Sequence, residues 1–403
     1  MANSIIKATV VCIGRFHHFD LARQLARRGM LKRLFTGYPS WKIRGEAIPQ
    51  DRVTTFPWLQ TPYMAMGKWG LLGEGRFQRD FAWYAHETLD RHAAVHLPKS
   101  DVLFALSGSG LRCGRSMQGR GGKFVCDRGS SHIRFQDSIL RDEFARWGDE
   151  FRGVDPRIMA KEEAEYEACD LVTVPSAFAF RSFVEMGVPE CKLRKVPYGV
   201  NLQRFSRVEE PAPEGFDVLF VGQISFRKGL PYLLEAFSRF SHPNKRLVLV
   251  GSMCPEAERY LRGRPLPERI EFKGHIPQPE LKYIMSRSHV MVLPSVEEGL
   301  ALVQAQAMAC GCPVIATPHT GAEDLFTDGL EGFIVPIRDQ VAIAEKLQAL
   351  ADDPELRRRM SAAALERVSC LGGWDDYGRR MAGLLNEIVS ASDKAPGSSI
   401  WAQ

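Results

Sequence analysis

The 403-residue chain predicts an α/β fold made of two doubly wound, Rossmann-like lobes, and three features of the sequence carry that reading. Apolar runs of strand length alternate with helically spaced segments through both halves, as a parallel sheet covered by helices requires. A Pro/Glu-rich stretch, Glu209–Gly215, falls between the halves and reads as a linker. The length is enough for two domains.

In the first half, Ala8–Ile13 is a buried strand, and Leu21–Arg28 has helical spacing with Leu21 and Leu25 inward and Gly29 as its stop. Leu31–Thr36 resumes a strand, which completes a βαβ opening whose first turn carries His17, His18 and Phe19. Asp101–Leu106 is a strand running into Ser107-Gly-Ser-Gly110, a simple strand-to-helix connection. Lys123–Asp127 is the next strand. The polar loop Arg128–Arg134 at its carboxyl end is the best candidate site of this half, because open α/β sheets bind ligands at that edge. Glu162–Asp170 reads as helix, Leu171–Ser176 as strand and Ala177–Met186 as helix.

The second half opens with the strand Asp217–Gly222, a turn holding Gln223, Arg227 and Lys228, and the helix Leu230–Phe240. Arg246–Ser252 and Arg269–Ile276 are further strands. His289–Ser295 is an apolar strand, Val296-Glu-Glu-Gly299 a turn, Leu300–Gly311 a helix with Ala301, Ala305 and Ala309 on one face, and Cys312–Thr317 a strand. Free N–H groups at the start of that helix, at Leu300 and Ala301, suit an anion such as a diphosphate. Asp353–Val368 and Trp374–Ile388 are the last helices.

Hydrophobic residues make up 45% and charged residues 25%, ordinary values for a soluble globular protein. No apolar run approaches the length of a membrane span, and the start has no signal-peptide pattern. Nine irregularly spaced cysteines fit a reducing cytoplasm, with Cys310 and Cys312 as core thiols. Residues 1–128 hold 20 Lys+Arg against 9 Asp+Glu. Such a balance points to nucleic acid, an anionic membrane face or a phosphorylated acceptor, against the plain alternative of a solvated surface. Within residues 51–83, Trp58, Met64, Trp69, Leu71, Leu72 and Phe77 alternate with Arg and Lys. That mixture suits a surface dipping into lipid, and equally an aromatic cover on the sheet.

The segment from Glu298 through Gly-Leu-Ala-Leu-Val-Gln-Ala-Gln-Ala-Met-Ala-Cys-Gly-Cys-Pro-Val-Ile-Ala316 resembles the donor-site signature of family-4 retaining glycosyltransferases. That family reads Glu-Gly-Phe-Gly-Leu, a second Glu eight residues after the first, then Ala-Met-Ala-x-Gly-x-Pro-Val. Here the second glutamate is Gln306, which offers one acceptor oxygen and no charge to the ribose. The family also has Gly-Arg where this chain has Gly222-Gln223, with Lys228 matching its lysine and Arg227 able to supply the missing charge. The resemblance is strong over about residues 200–390 and weak before them.

The resemblance implies the GT-B architecture, with two lobes facing a cleft. Residues 1–200 would be the acceptor-side lobe, 201–372 the nucleotide-sugar lobe, 373–390 a helix crossing back onto the first lobe, and 391–403 a flexible tail. It implies retaining, metal-independent hexosyl transfer from a nucleotide-sugar to a sugar or lipid-linked acceptor in polysaccharide or glycolipid synthesis. No cofactor and no nucleic acid enter. The protein would be cytoplasmic and peripheral to the inner membrane face. Glu298 and His132 would be the catalytic groups. Gln223, Arg227, Lys228, His275, Leu300, Ala301 and Gln306 would hold the donor, with His17, His18 and Asp127 on the acceptor side. Two alternatives remain: a nucleotide-sugar 2-epimerase on the same fold, and a catalytically silent nucleotide-binding protein.

Overall fold

Strands form where the chain runs apolar, and each is followed by a helix that returns it to the same sheet edge. The computed structural model describes residues 5–68, 76–202 and 204–391. The first sheet contains β1 (Ala8–Cys12), β2 (Leu31–Thr36), β3 (Val53–Thr55), β4 (Val102–Leu106), β5 (Lys123–Asp127), β6 (Leu171–Val174) and β7 (Leu193–Lys195). Its seven strands run in the order β3-β2-β1-β4-β5-β6-β7, all parallel. The second sheet contains β8 (Phe216–Val221), β9 (Lys245–Val250), β10 (Ile270–Gly274), β11 (Val290–Leu293), β12 (Val314–Ala316) and β13 (Gly332–Ile334). Its six strands run β10-β9-β8-β11-β12-β13, again parallel. Each sheet therefore reverses its winding once, between β1 and β4 and between β8 and β11. A crevice opens at such a switch point, outside the carboxyl ends of the strands.

Helices cover both faces of each sheet, so the central strands carry fully buried runs such as Val10, Val102 and Phe104 in the first lobe and Val218, Leu219 and Val292 in the second. Cys310 and Cys312 are buried beneath the second sheet, and burial pushes the Cys310 thiol up to about 11. The helix Trp374–Ser390 joins the first lobe's core: Tyr377, Met381 and Leu385 pack with Leu21, Leu25 and Met30. Its start is fixed by Gln24 Nε2, which donates to Asp375 Oδ1 at 2.7 Å.

One local expectation is met and another changes. The Ser107-Gly-Ser-Gly110 turn connects β4 to the helix Leu111–Gln118 as expected, and the N–H groups of Gly108 and Gly110 donate to the buried Glu165 carboxylate at 2.5 and 2.7 Å. The helix expected from Leu300 begins at Val303, since the chain at Gly299 is still committed to a contact with the other lobe. The aromatic stretch divides. Phe56 stacks on His92 and Tyr63 meets Phe81 edge-on, while Trp58, Met64 and Phe77 stay more than half exposed. Trp69, Leu71, Leu72 and residues 392–403 of the tail lie outside the described residues. Among the described residues no helix is long and apolar enough to cross a membrane.

Candidate active site

A cavity of about 930 Å³ lies between the carboxyl edges of the two sheets. Gln223, Arg227, Lys228, Glu298, Leu300, Ala301 and Gln306 line it from the second lobe, and His17, Asp20, Arg128, Gln136, Glu162 and Tyr198 from the first.

Lys228 reaches the cavity because Gly229 turns the chain into the helix Leu230–Arg239 at a φ of 75°. A Cβ on Gly229 would lie 2.1 Å from the carbonyl oxygen of Pro294, so only glycine lets this turn pack on the end of β11. The Lys228 ammonium pairs with the Glu298 carboxylate, which also accepts from Ser295 Oγ at 3.3 Å. This pair presents a positive and a negative group side by side on the cavity wall.

The neighbouring Glu297 is wholly buried and turns the other way. It accepts from Ser130 Oγ and Ser131 Oγ at 2.6 Å, from Gln136 Nε2 at 3.0 Å and from Arg227 Nε at 2.8 Å. Burial by itself would raise its pKa, but Arg227, then the two serines and Gln136, bring it to about 2. Glu297 thus joins the loop after β5 to the second lobe and holds Arg227 in place. Nearby, a Cβ on Gly299 would lie 1.9 Å from Gly129 O, and Ser176 Oγ donates to Gly299 O at 2.7 Å. Asp324 accepts from Ala177 N and Lys195 Nζ, both at 2.7 Å. Sequence reasoning missed this latch. The acidic pair Glu297-Glu298 and the serine pair Ser130-Ser131 were its only traces.

On the first-lobe wall, His17 and Asp127 form a hydrogen bond of 2.6 Å between Nε2 and Oδ2. Thr173 Oγ1 donates to the other carboxylate oxygen at 2.5 Å. Burial tends to raise the Asp127 pKa, yet His17, its hydrogen bond and His18 keep it below the usual range. The Tyr198 ring lies against His17, with centroids 4.1 Å apart. His18 sits behind, fully buried, with neither ring nitrogen hydrogen-bonded to a described residue, and burial pushes its pKa down to about 3. Among the described residues His17, His18 and Asp127 are the one group of three donors close enough to be considered for a metal ion. Two ligands of a tetrahedral zinc stand about 3.3 Å apart, whereas His17 and Asp127 touch at 2.6 Å, so the arrangement is a hydrogen-bonded pair rather than an open ligand set.

Several expected residues are elsewhere. His132 does not line the cavity. It is 4% exposed and caps the helix Ile133–Arg146, its Nδ1 accepting from Arg134 N at 3.2 Å and its ring wedged between Tyr166 and Phe183. Burial drops its pKa to about 4. Gly129 and Ser130 of that loop face the cavity instead. His275 is exposed past the end of β10, outside the lining, as are the buried His18 and Asp127. The Ala301 N–H donates to Thr320 O at 3.0 Å and is not available to an anion.

Residues 203–367 match the family model for glycosyl transferases group 1. That match falls within the second lobe, hereafter the group 1 domain. A D-inositol 3-phosphate glycosyltransferase from Kribbella flavida is 25% identical over 379 residues, covering 88% of this chain and 86% of that protein. Alignments at 30–32% identity to other curated relatives span only about half of those proteins' length. Among solved structures, a sucrose-phosphate synthase from Thermosynechococcus elongatus superposes with a TM-score of 0.70 at 22% identity, covering 96% of this chain and 100% of that one. Anabaena HepE in complex with UDP-glucose gives 0.65 at 15% identity, with 95% and 100% coverage. The two lobes have the GT-B fold, and the cavity is the cleft between the group 1 domain and its partner lobe.

Proposed function

We propose that this protein moves a hexose from a nucleotide-sugar to an acceptor in polysaccharide or glycolipid synthesis, with retention of configuration. The observation carrying this is the juxtaposition of Lys228 and Glu298 of the group 1 domain with His17 and Arg128 across one cavity. Lys228 supplies positive charge for the departing diphosphate, with no divalent ion required. Glu298 accepts from a donor-sugar hydroxyl or lies beside the cationic ring. Arg227 is engaged by Glu297 as Lys228 is by Glu298, so each basic group is held at the cavity by its own carboxylate. Gln306 and Gln223 face the donor with amides. HepE's complex with UDP-glucose and the alignment with a putative colanic acid biosynthesis glycosyltransferase support a UDP-sugar donor and a polysaccharide setting.

Thermal-shift measurement against UDP-, GDP- and ADP-sugars tests the donor. The true one stabilises by about 2.7 kcal/mol at 100 times its Kd. A protein that no nucleotide-sugar stabilises contradicts the reading. NMR of the product's anomeric carbon tests retention, and incubation without acceptor separates transfer from 2-epimerisation.

The acceptor in this reading is lipid-linked and held at the cytoplasmic membrane face. Exposed Trp41, Trp58 and Phe77 project from a basic lobe, at about 1 kcal/mol per Lys or Arg close to an anionic surface. Trp58→Ser should lower sedimentation with phosphatidylserine vesicles at low salt while sparing nucleotide affinity. No sedimentation of the wild-type protein would sink the membrane part alone.

A further inference from the structure

We infer that the second lobe carries a further ligand site, on the sheet edge opposite the cleft, for a small organic anion with a carboxylate or phosphate head and an apolar body. A cavity of about 710 Å³ opens there between the linker and the helix Pro354–Cys370, at the amino ends of β11 and β12. Its size falls among small-molecule sites, which span roughly 300–1,000 Å³. The carboxyl ends of the same strands face the cleft, so the two cavities lie on opposite edges of one sheet.

The wall of this cavity is cationic. Arg207, Arg357 and Arg358 line it against one carboxylate, Glu210. His289 adds no charge, because Asp217 N donates to its Nδ1 at 2.9 Å and its Nε2 lies 3.0 Å from Ala212 O. The ring proton therefore sits on Nε2, and burial pushes the His289 pKa down to about 4. Two of the arginines are already paired: Arg207 Nη1 donates to Glu210 Oε1 at 3.1 Å, and Arg358 pairs with Glu355.

Arg357 is different. Its side chain is partly buried, donates from Nη1 to Leu350 O at 2.7 Å, and sets its guanidinium 5.6 Å from the centre of the Phe216 ring. No carboxylate among the described residues pairs with it. Burial, and then the neighbouring Arg358, pull its pKa below the ordinary arginine value. A guanidinium presents five N–H donors in a planar fork, so most of the fork is left for an oxyanion. Taking charge out of water is costly unless it is paired, and an anion in this cavity supplies the missing partner. The remainder of the wall is apolar, from Pro211, Pro213, Pro313 and Leu365, which suits a body with few polar groups.

Calorimetry on the whole protein with benzoate, phenyl phosphate and the uncharged benzyl alcohol tests the site. Benzoate or phenyl phosphate should bind where benzyl alcohol does not, and the tighter of the two anions identifies the head. Arg357→Gln should weaken that anion at least about tenfold by removing a charge-assisted fork, while Lys228→Ala, in the cleft, should leave it within about twofold. Ala362→Trp fills the cavity and keeps all three arginines, so it should abolish binding, and it carries the test if Arg357→Gln fails to fold. Urea denaturation checks the fold of each variant. No binding of either anion at millimolar concentration overturns the proposal, as does equal binding of benzyl alcohol. Wild-type affinity in either folded variant overturns it too. A loss in Lys228→Ala as large as that in Arg357→Gln would put the anion in the cleft and overturn the second site.

Discussion

The two walls of the cleft are built on different scales. The second-lobe wall comes from two short turns, residues 223–228 and 297–306, each inside one strand-turn-helix unit, and its charges meet within that span as Lys228 and Glu298. The first-lobe wall rests on His17, Asp127, Thr173, Tyr198 and Tyr377 from five separate elements, of which His17 and Tyr198 line the cavity. Arg128 there is held by Glu162 at 2.8 Å and by Gln136 at 2.8 Å. A wall made of local turns can be ordered by its own lobe. A wall made of distant parts is only as well defined as the packing of the whole lobe, which includes the last helix of the chain.

The latch between the walls is the most severe place to break this arrangement. Glu297→Ala strips a buried acceptor from Ser130, Ser131, Gln136 and Arg227, and should lower unfolding stability by about 3 kcal/mol, read by urea denaturation at neutral pH. The pKa of Glu297 is depressed to about 2 from an ordinary 4.5. Its contribution is therefore complete above about 4.5 and is lost as pH falls toward 2, so the gap between wild type and Glu297→Ala should narrow over that interval. A gap of constant size from pH 6 to pH 3 contradicts the assignment. Lys228→Ala leaves both lobes folded and removes one charge-assisted contact, worth about 1.5–3 kcal/mol or roughly 10- to 150-fold in UDP affinity by calorimetry. An unchanged affinity takes Lys228 out of the site. The smallest effect belongs to Gln306→Glu, which offers the ribose a second acceptor and should tighten UDP binding by about 1 kcal/mol. Weaker binding would mean that the second wall is shaped around the amide.

The same difference of scale explains what could be read from the sequence. The alternation of strands and helices is a local signal, and the second wall comes from two short stretches, so Lys228, Glu298 and Gln306 share one cavity as the resemblance implied. The first wall carries no such local record. His132 and His17 both follow strands, and nothing in the residues around His132 says that its ring will be spent on Arg134 N as a helix cap. Gly299 looks like a simple turn glycine, yet its lack of a side chain is fixed by Gly129 of the opposite lobe, which also delays the helix to Val303. Glu297 was invisible as a latch because three of its four side-chain partners belong to the other half of the chain.

The crossing helix sets a schedule for the protein's birth. The last strand of the first sheet ends at Lys195, but Tyr377, Met381 and Leu385, which close that lobe's core, are made nearly two hundred residues later. At about 5–20 residues per second, synthesis leaves the surface of Leu21, Leu25 and Met30 without its final cover for roughly 10–40 s. The group 1 domain has no such wait: its strands end at Ile334, and the helices packed on them are complete by Cys370. The lobe that begins first is finished last, and it is the one whose nascent form has most need of a chaperone.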